Sequence, residues 1–126
     1  EPGIYGDQSY EALCALIREH AAARGSTAHC FQSNHEGAII DEIHAADGVY
    51  DALIINPGAY THYSYAILDA LKAVDVPAFE VHISRIDQRE SFRAVSVTAP
   101  ACVGQLCGHG FDGYLMAMDH FLEGGR

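Results

Sequence analysis

The chain of 126 residues is of a size for one domain with one core, and its 49 % apolar content excludes a disordered polypeptide. A formal net charge of −10, with only seven Lys and Arg, argues against nucleic acid and against an anionic membrane surface, since both are held by basic groups. No apolar run approaches the roughly 18–20 residues that span a bilayer, so a membrane-crossing helix is not expected.

Residues 1–8, EPGIYGDQ, read as a loop because Pro2, Gly3 and Gly6 break any period. Ser9 is placed to cap a first helix carrying Leu13, Leu16, Ile17 and Ala21, which Gly25 ends. STAHCFQS predicts a strand at about 27–32. Asn34 is the expected cap of a second helix whose apolar face holds Ile39, Ile40 and Ile43. ALII at 52–55 is a short apolar run typical of a strand buried on both faces. NPGAY breaks it, and a helix is expected at about 62–74 with Tyr65, Leu68 and Leu71 in register. AFEVHI predicts the next strand, RESF one helical turn, and AVSVTA a further short strand. Residues 101–110 are interrupted by glycine, and a last helix is expected from about 111 to 122.

The expected order is α-β-α-β-α-β-β-α in a single domain over 1–126, which implies a parallel sheet with helices on both faces. No strand precedes the first helix, where a doubly wound domain usually opens. The sequence also begins at Glu1 without methionine, so its N-terminus is expected to be processed, truncated or partly absent. Cys14, Cys30, Cys102 and Cys107 form no C-x-x-C pair and are expected as free thiols in a reducing cytoplasm.

Ligands of open parallel α/β sheets bind beyond the carboxyl ends of the strands. Asn34, Asn56, Gly58, His62, His82 and Ser84 gather at those ends, a set suited to a neutral or anionic polyol rather than to a metal. Each also has a plainer reading. His82 reads as a core histidine on a backbone carbonyl, and Asn56-Pro57-Gly58 as only a turn. Glu80 is harder to dismiss, because an unpaired carboxylate in an apolar strand is costly. His82, two residues on, shares its face; a carboxylate behind an imidazole fixes its tautomer and raises its basicity. Tyr5, in a glycine-flanked loop, reads as an exposed aromatic. His20, His44 and His120 read as surface residues, while His29, His35 and His109 stay unassigned.

Five stretches together, EPGIYG at 1–6, FQSNHEGAIID at 31–41, LIINPGAYTHYSYAILDAL at 53–71, EVHISRIDQRESFR at 80–93 and GHGFDGYLMAM at 108–118, resemble type II 3-dehydroquinate dehydratase. The resemblance implies a flavodoxin-like fold, trimers assembled into a dodecamer, and reversible anti elimination of water from 3-dehydroquinate through an enolate. It implies neither cofactor nor metal. Residue by residue, it makes Tyr5 the base, His82 the general acid and Glu80 the residue that orients His82. Asn56, His62 and Arg93 correspond to ligands of the ring hydroxyls, with Gly58 in the same loop. Ile83 and Ser84 correspond to the pair that receives the substrate carboxylate, and Asp69 to an aspartate reaching a neighbouring subunit's site. The family's arginine before EP, its first strand and an asparagine near that strand correspond to positions before Glu1. Arg85 stands where many members have asparagine. The resemblance leaves open shikimate biosynthesis or quinate breakdown. A non-catalytic homologue binding a cyclic polyol acid is the alternative; a flavin or phosphate-signalling domain is disfavoured by the lack of a glycine-rich phosphate loop.

Overall fold

The structure is a computed structural model and describes residues 9–85 and 95–126. The predicted turn at RESF lies outside the described residues. Helix α1 spans Tyr10–Ala23; Ser9 Oγ accepts the Ala12 N–H at 3.1 Å, as expected of the cap. The helix closes on Gly25, whose φ of 74° suits a residue without Cβ. Ser26 N–H bonds Ala21 O and Gly25 N–H bonds Ala22 O, a paired ending that satisfies carbonyls of the last turn.

Residues 27–32 form no strand. Ala28 and Cys30 are half-buried while Thr27, His29 and Phe31 are exposed, so the alternation is real. Among the described residues, however, no strand pairs with this segment, and alternation without a ladder partner is not a strand. Helix α2 spans Glu36–Ala46. Its cap position falls on His35 rather than Asn34, and Ser33 Oγ accepts the His35 N–H at 3.0 Å. Asn34 instead offers its carbonyl to the Tyr60 hydroxyl at 2.8 Å.

Strand β1 is Leu53–Ile55. The helix expected over 62–74 is divided. A 3-10 turn occupies Gly58–His62, and helix α3 spans Tyr65–Ala73. Pro57 and Gly58 tighten the chain, and Ser64 begins the helix afresh by accepting the Ile67 N–H at 3.0 Å. Strand β2, Ala78–His82, is buried at every position. Residues 95–98 are not the strand that AVSVTA predicts. Their alternating hydroxyls serve a buried carboxylate, described below, and a 3-10 turn at Ala99–Ala101 follows. The last strand, β3, is Gly104–Cys107, inside the stretch read as glycine-interrupted. Gly104 lies opposite Phe79, and a Cβ there would stand 2.6 Å from the Phe79 ring. The glycine therefore belongs to the strand's packing rather than marking a break. Helix α4 spans Asp112–Leu122.

The three strands are parallel in the order β1-β2-β3. Side chains alternate across the sheet. Phe79, Val81 and Ile83 of β2 pack with Leu13 of α1 and with Phe111, Tyr114 and Ala117 beside and on α4. On the other face Ala78 packs with Ile43 of α2 and with Ile67, Ala70 and Leu71 of α3. A sheet covered on both faces in this way is the α/β architecture expected. His120 departs from its expected surface position: its ring lies 5.4 Å from Phe79 and 5.1 Å from Phe121, with Nε2 buried. Its position on α4 turns it toward the Phe79 side of the sheet. Among the described residues no helix is long and apolar enough to cross a membrane.

Candidate active site

The even-numbered positions of β2 carry Ala78, Glu80 and His82, and two of these three are polar and buried. Glu80 is wholly buried and His82 is 4 % exposed. Their side chains meet as the period of two requires, with His82 Nε2 2.8 Å from Glu80 Oε2. The imidazole is thus bound to a carboxylate, and the plainer reading of a backbone-carbonyl partner at this nitrogen does not hold. With Nε2–H donating to Glu80, Nδ1 is the nitrogen left for other chemistry.

Glu80 is surrounded by donors that sequence reasoning did not single out. Ser96 Oγ donates to Oε2 at 2.7 Å and Gln105 Nε2 donates to it at 2.8 Å. Thr98 donates to Oε1 in a short hydrogen bond, and Thr61 Oγ1 lies 3.1 Å from Oε2. Burial alone pushes a carboxyl upward, but hydrogen bonds from His82, Thr98 and Ser96, with the His82 charge, outweigh it and hold Glu80 below its ordinary value. Nearby Cys102 is pushed up to about 12, first by burial and then by the Glu80 charge. The signal for these donors was present. A buried carboxylate demands several donors, Ser96 and Thr98 stand two apart, and Gln105 interrupts an apolar run.

Asn56 follows β1 directly. Its Oδ1 accepts the Gly58 N–H at 3.0 Å, and its Nδ2 donates to the Tyr114 hydroxyl of α4 at 3.0 Å. The turn reading of Asn56-Pro57-Gly58 is therefore correct as far as it goes, and the same bonds fix the amide at the strand end. Gly58 has φ 61° with open space where a Cβ would sit, so backbone conformation alone calls for glycine. His62 closes the 3-10 turn with Nδ1 2.8 Å from the Val95 carbonyl. A carbonyl only accepts, so this nitrogen carries a proton.

Ile83 is buried and Ser84 half-buried just past β2. Turns after β3 hold this end, with Gly108 N–H on His82 O at 3.2 Å and Gly110 N–H on Ile83 O at 3.1 Å. The structure thus gathers Asn56, Gly58, His62, Glu80, His82, Ile83 and Ser84 at the carboxyl edge of the sheet. Asp69 is exposed on α3 and outside the Glu80 network. Tyr5 and Arg93 lie outside the described residues. Among the described residues no group of three or more His, Cys, Asp or Glu side chains is placed to hold a metal. The four cysteines are free thiols, Cys14 buried and the others partly so.

A fixed, ionised carboxylate behind an imidazole can hold that imidazole protonated or orient it for proton transfer. The family model described as dehydroquinase class II matches residues 1–122. The 3-dehydroquinate dehydratase of Bacillus cytotoxicus is 54 % identical over 123 residues, covering 98 % of this chain and 84 % of that protein. The type II dehydroquinase of Butyrivibrio crossotus superposes with a TM-score of 0.91 at 51 % identity, covering 98 % of this chain and 86 % of the other. That of Propionibacterium acnes gives 0.92 at 36 % identity, covering 98 % and 85 %. With the two-faced parallel sheet and the ordered site at its carboxyl edge, these likenesses establish that the chain belongs to the class II dehydroquinase family.

Proposed function

We propose that the protein is a 3-dehydroquinate dehydratase, converting 3-dehydroquinate to 3-dehydroshikimate and water by anti elimination. The observation that carries this reading is the buried Glu80–His82 pair at 2.8 Å, set at the sheet edge beside Asn56 and His62 in a chain of this family. Relatives at 53 % and 54 % identity bear the enzyme's name, which disfavours a non-catalytic homologue.

In this reading Tyr5 removes the C2 proton and the electron pair is held as an enolate on the C3 carbonyl. The C1 hydroxyl then leaves as water, taking a proton from His82 on the opposite face of the ring. Glu80 occupies Nε2, so the donor is Nδ1. A free tyrosine titrates near 10, so Tyr5 needs neighbouring positive charge to act as a base near neutrality. Asn56, Gly58, His62 and Arg93 bind the ring hydroxyls. The backbone of Ile83 and Ser84, with the serine hydroxyl, receives the carboxylate. Asp69, exposed within the subunit, reaches the neighbouring site of a trimer, and trimers build a dodecamer. The reaction requires neither metal nor cofactor, and serves aromatic biosynthesis by the shikimate route or quinate breakdown in the cytoplasm.

The full chain incubated with 3-dehydroquinate should produce an enone absorbing in the near ultraviolet. Borohydride added with substrate should not inactivate it. Absence of conversion, or trapping of an imine at Lys72, would overturn the reading.

A further inference from the structure

Glu80 is met by side-chain donors from separate stretches of the chain, on both of its oxygens. A hydroxyl has one proton and two lone pairs. Ser96 Oγ accepts the Ala99 N–H at 3.0 Å and lies 2.7 Å from Thr61 Oγ1. Thr61 Oγ1 lies 3.1 Å from Glu80 Oε2, 2.7 Å from Ser96 Oγ and 2.8 Å from Thr98 Oγ1, so its single proton has three acceptors within reach. Ser96 gives its own proton to Glu80 Oε2 at 2.7 Å. Thr98 gives its proton to Oε1. Gln105 reaches Oε2 through an amide N–H, which only donates. It comes from β3, directly opposite Glu80 in the sheet register, and therefore on the same face. The Val97 N–H on Thr61 O at 2.7 Å ties the hydroxyl-bearing segment to the turn after β1.

An ionised carboxylate accepts from Ser96, Gln105 and His82 at Oε2 at once, whereas protonation there would give up one of these bonds or turn Thr61 into the acceptor. We infer that Ser96, Thr98 and Gln105 are positioning residues that fix Glu80 as an all-acceptor partner of His82, so that Nε2 stays committed to Glu80 and Nδ1 alone faces the reaction. The inference rests on the function proposed above and assigns these three residues a part in it. The titratable groups that face Glu80 are His82 on the same strand and Cys102 in the turn before β3; Ile55 and Gln105, its register partners on β1 and β3, do not titrate. A cysteine held neutral by burial contributes no competing charge.

The test pairs Thr98→Val, which keeps the shape and removes the donor, with Thr98→Ser, which restores it. In the full chain without substrate, carbon-13 NMR of the Glu80 carboxyl and nitrogen-15 NMR of the His82 ring report protonation directly. Thr98→Val should move the Glu80 titration upward and weaken the Nε2–H preference of His82, and Thr98→Ser should return both. With 3-dehydroquinate, kcat should fall roughly 10-fold in Thr98→Val, the loss of one hydrogen bond to a charged group. KM should change less than about twofold, because Thr98 reaches substrate only through Glu80 and His82. The acid limb of the kcat profile should shift to higher pH. Gln105→Leu, on a different element, should move the same quantities in the same direction and serves if Thr98→Val does not fold. An unaltered Glu80 titration with an unaltered His82 tautomer in a folded Thr98→Val or Gln105→Leu chain would overturn the inference, whatever the change in stability. If the wild-type chain leaves 3-dehydroquinate unchanged, the proposed function fails, while the substrate-free spectra still decide the role of the donors.

Discussion

Asn56 and Tyr114 are joined by a hydrogen bond of 3.0 Å between the end of β1 and the first turn of α4. The amide has no freedom at its other end, since Oδ1 is committed to the Gly58 N–H. Tyr114 is 9 % exposed, so its hydroxyl acts as an internal strut and not as a surface group. Tyr114→Phe leaves the amide N–H without this acceptor. The cost should be about 1 kcal/mol, which is roughly a fivefold rise in KM with kcat little changed if Asn56 binds substrate. Steady-state kinetics on the full chain checks this. A fall in kcat at constant KM would place Tyr114 in the chemical step instead.

Acid stability follows from Glu80. Its folded value lies below the ordinary 4.5, so the stability it contributes is present above that value and is lost as pH falls through the folded one. Glu80→Gln removes this titration. Urea midpoints measured across the acid range should fall more steeply for wild type than for Glu80→Gln. At neutral pH the variant should be less stable by on the order of 2 kcal/mol, because charge-assisted hydrogen bonds become neutral ones. Parallel acid limbs in the two proteins would show that Glu80 titrates alike folded and unfolded.

Proton transfer is the direct check on the site. His82→Ala should lower turnover by at least about 100-fold, within the usual range for a positioned acid or base. Glu80→Gln should lower it less, since the donor remains and only its orientation and charge partner change. Tyr5→Phe should nearly abolish turnover while substrate still binds. Wild-type turnover in Tyr5→Phe would remove Tyr5 from the role of base.

The pair Glu80–His82 was legible in the sequence because period-two alternation is a local property, and a buried carboxylate must find a partner. The helices were legible for the same reason: caps at Ser9 and apolar faces such as Ile39, Ile40 and Ile43 are written within a few residues. What failed depended on neighbours. Residues 27–32 have the alternation of a strand without a ladder, and Ser96 and Thr98 alternate to meet Glu80 and not to form a pleat. Gly104 reads as a breaker until Phe79 is seen across from it. The Thr61, Ser96, Thr98 and Gln105 donors come from three separate stretches, and only the folded sheet brings them together.

Gly104 offers the sharpest link between packing and site. It faces the Phe79 ring, and the next residue, Gln105, faces Glu80 on the opposite side of the sheet. A Cβ at Gly104 would stand 2.6 Å from the Phe79 ring, closer than carbon atoms tolerate. The ring is held by Phe121 at 6.3 Å and by His120 at 5.4 Å, so it cannot swing away freely. Gly104→Ala must therefore displace either the ring or the strand. Overpacking of this kind costs about 1–3 kcal/mol. If the strand moves, Gln105 moves with it and the Nε2–Oε2 bond of 2.8 Å lengthens. Both stability and kcat should then fall in Gly104→Ala. Adding Phe79→Leu makes room for the new methyl and should recover kcat more fully than stability, because a smaller side chain in the core leaves its own deficit. Urea unfolding and turnover measured on the single and double variants separate the two effects. A Gly104→Ala chain with wild-type stability would show that Phe79 and Gly104 are not in contact.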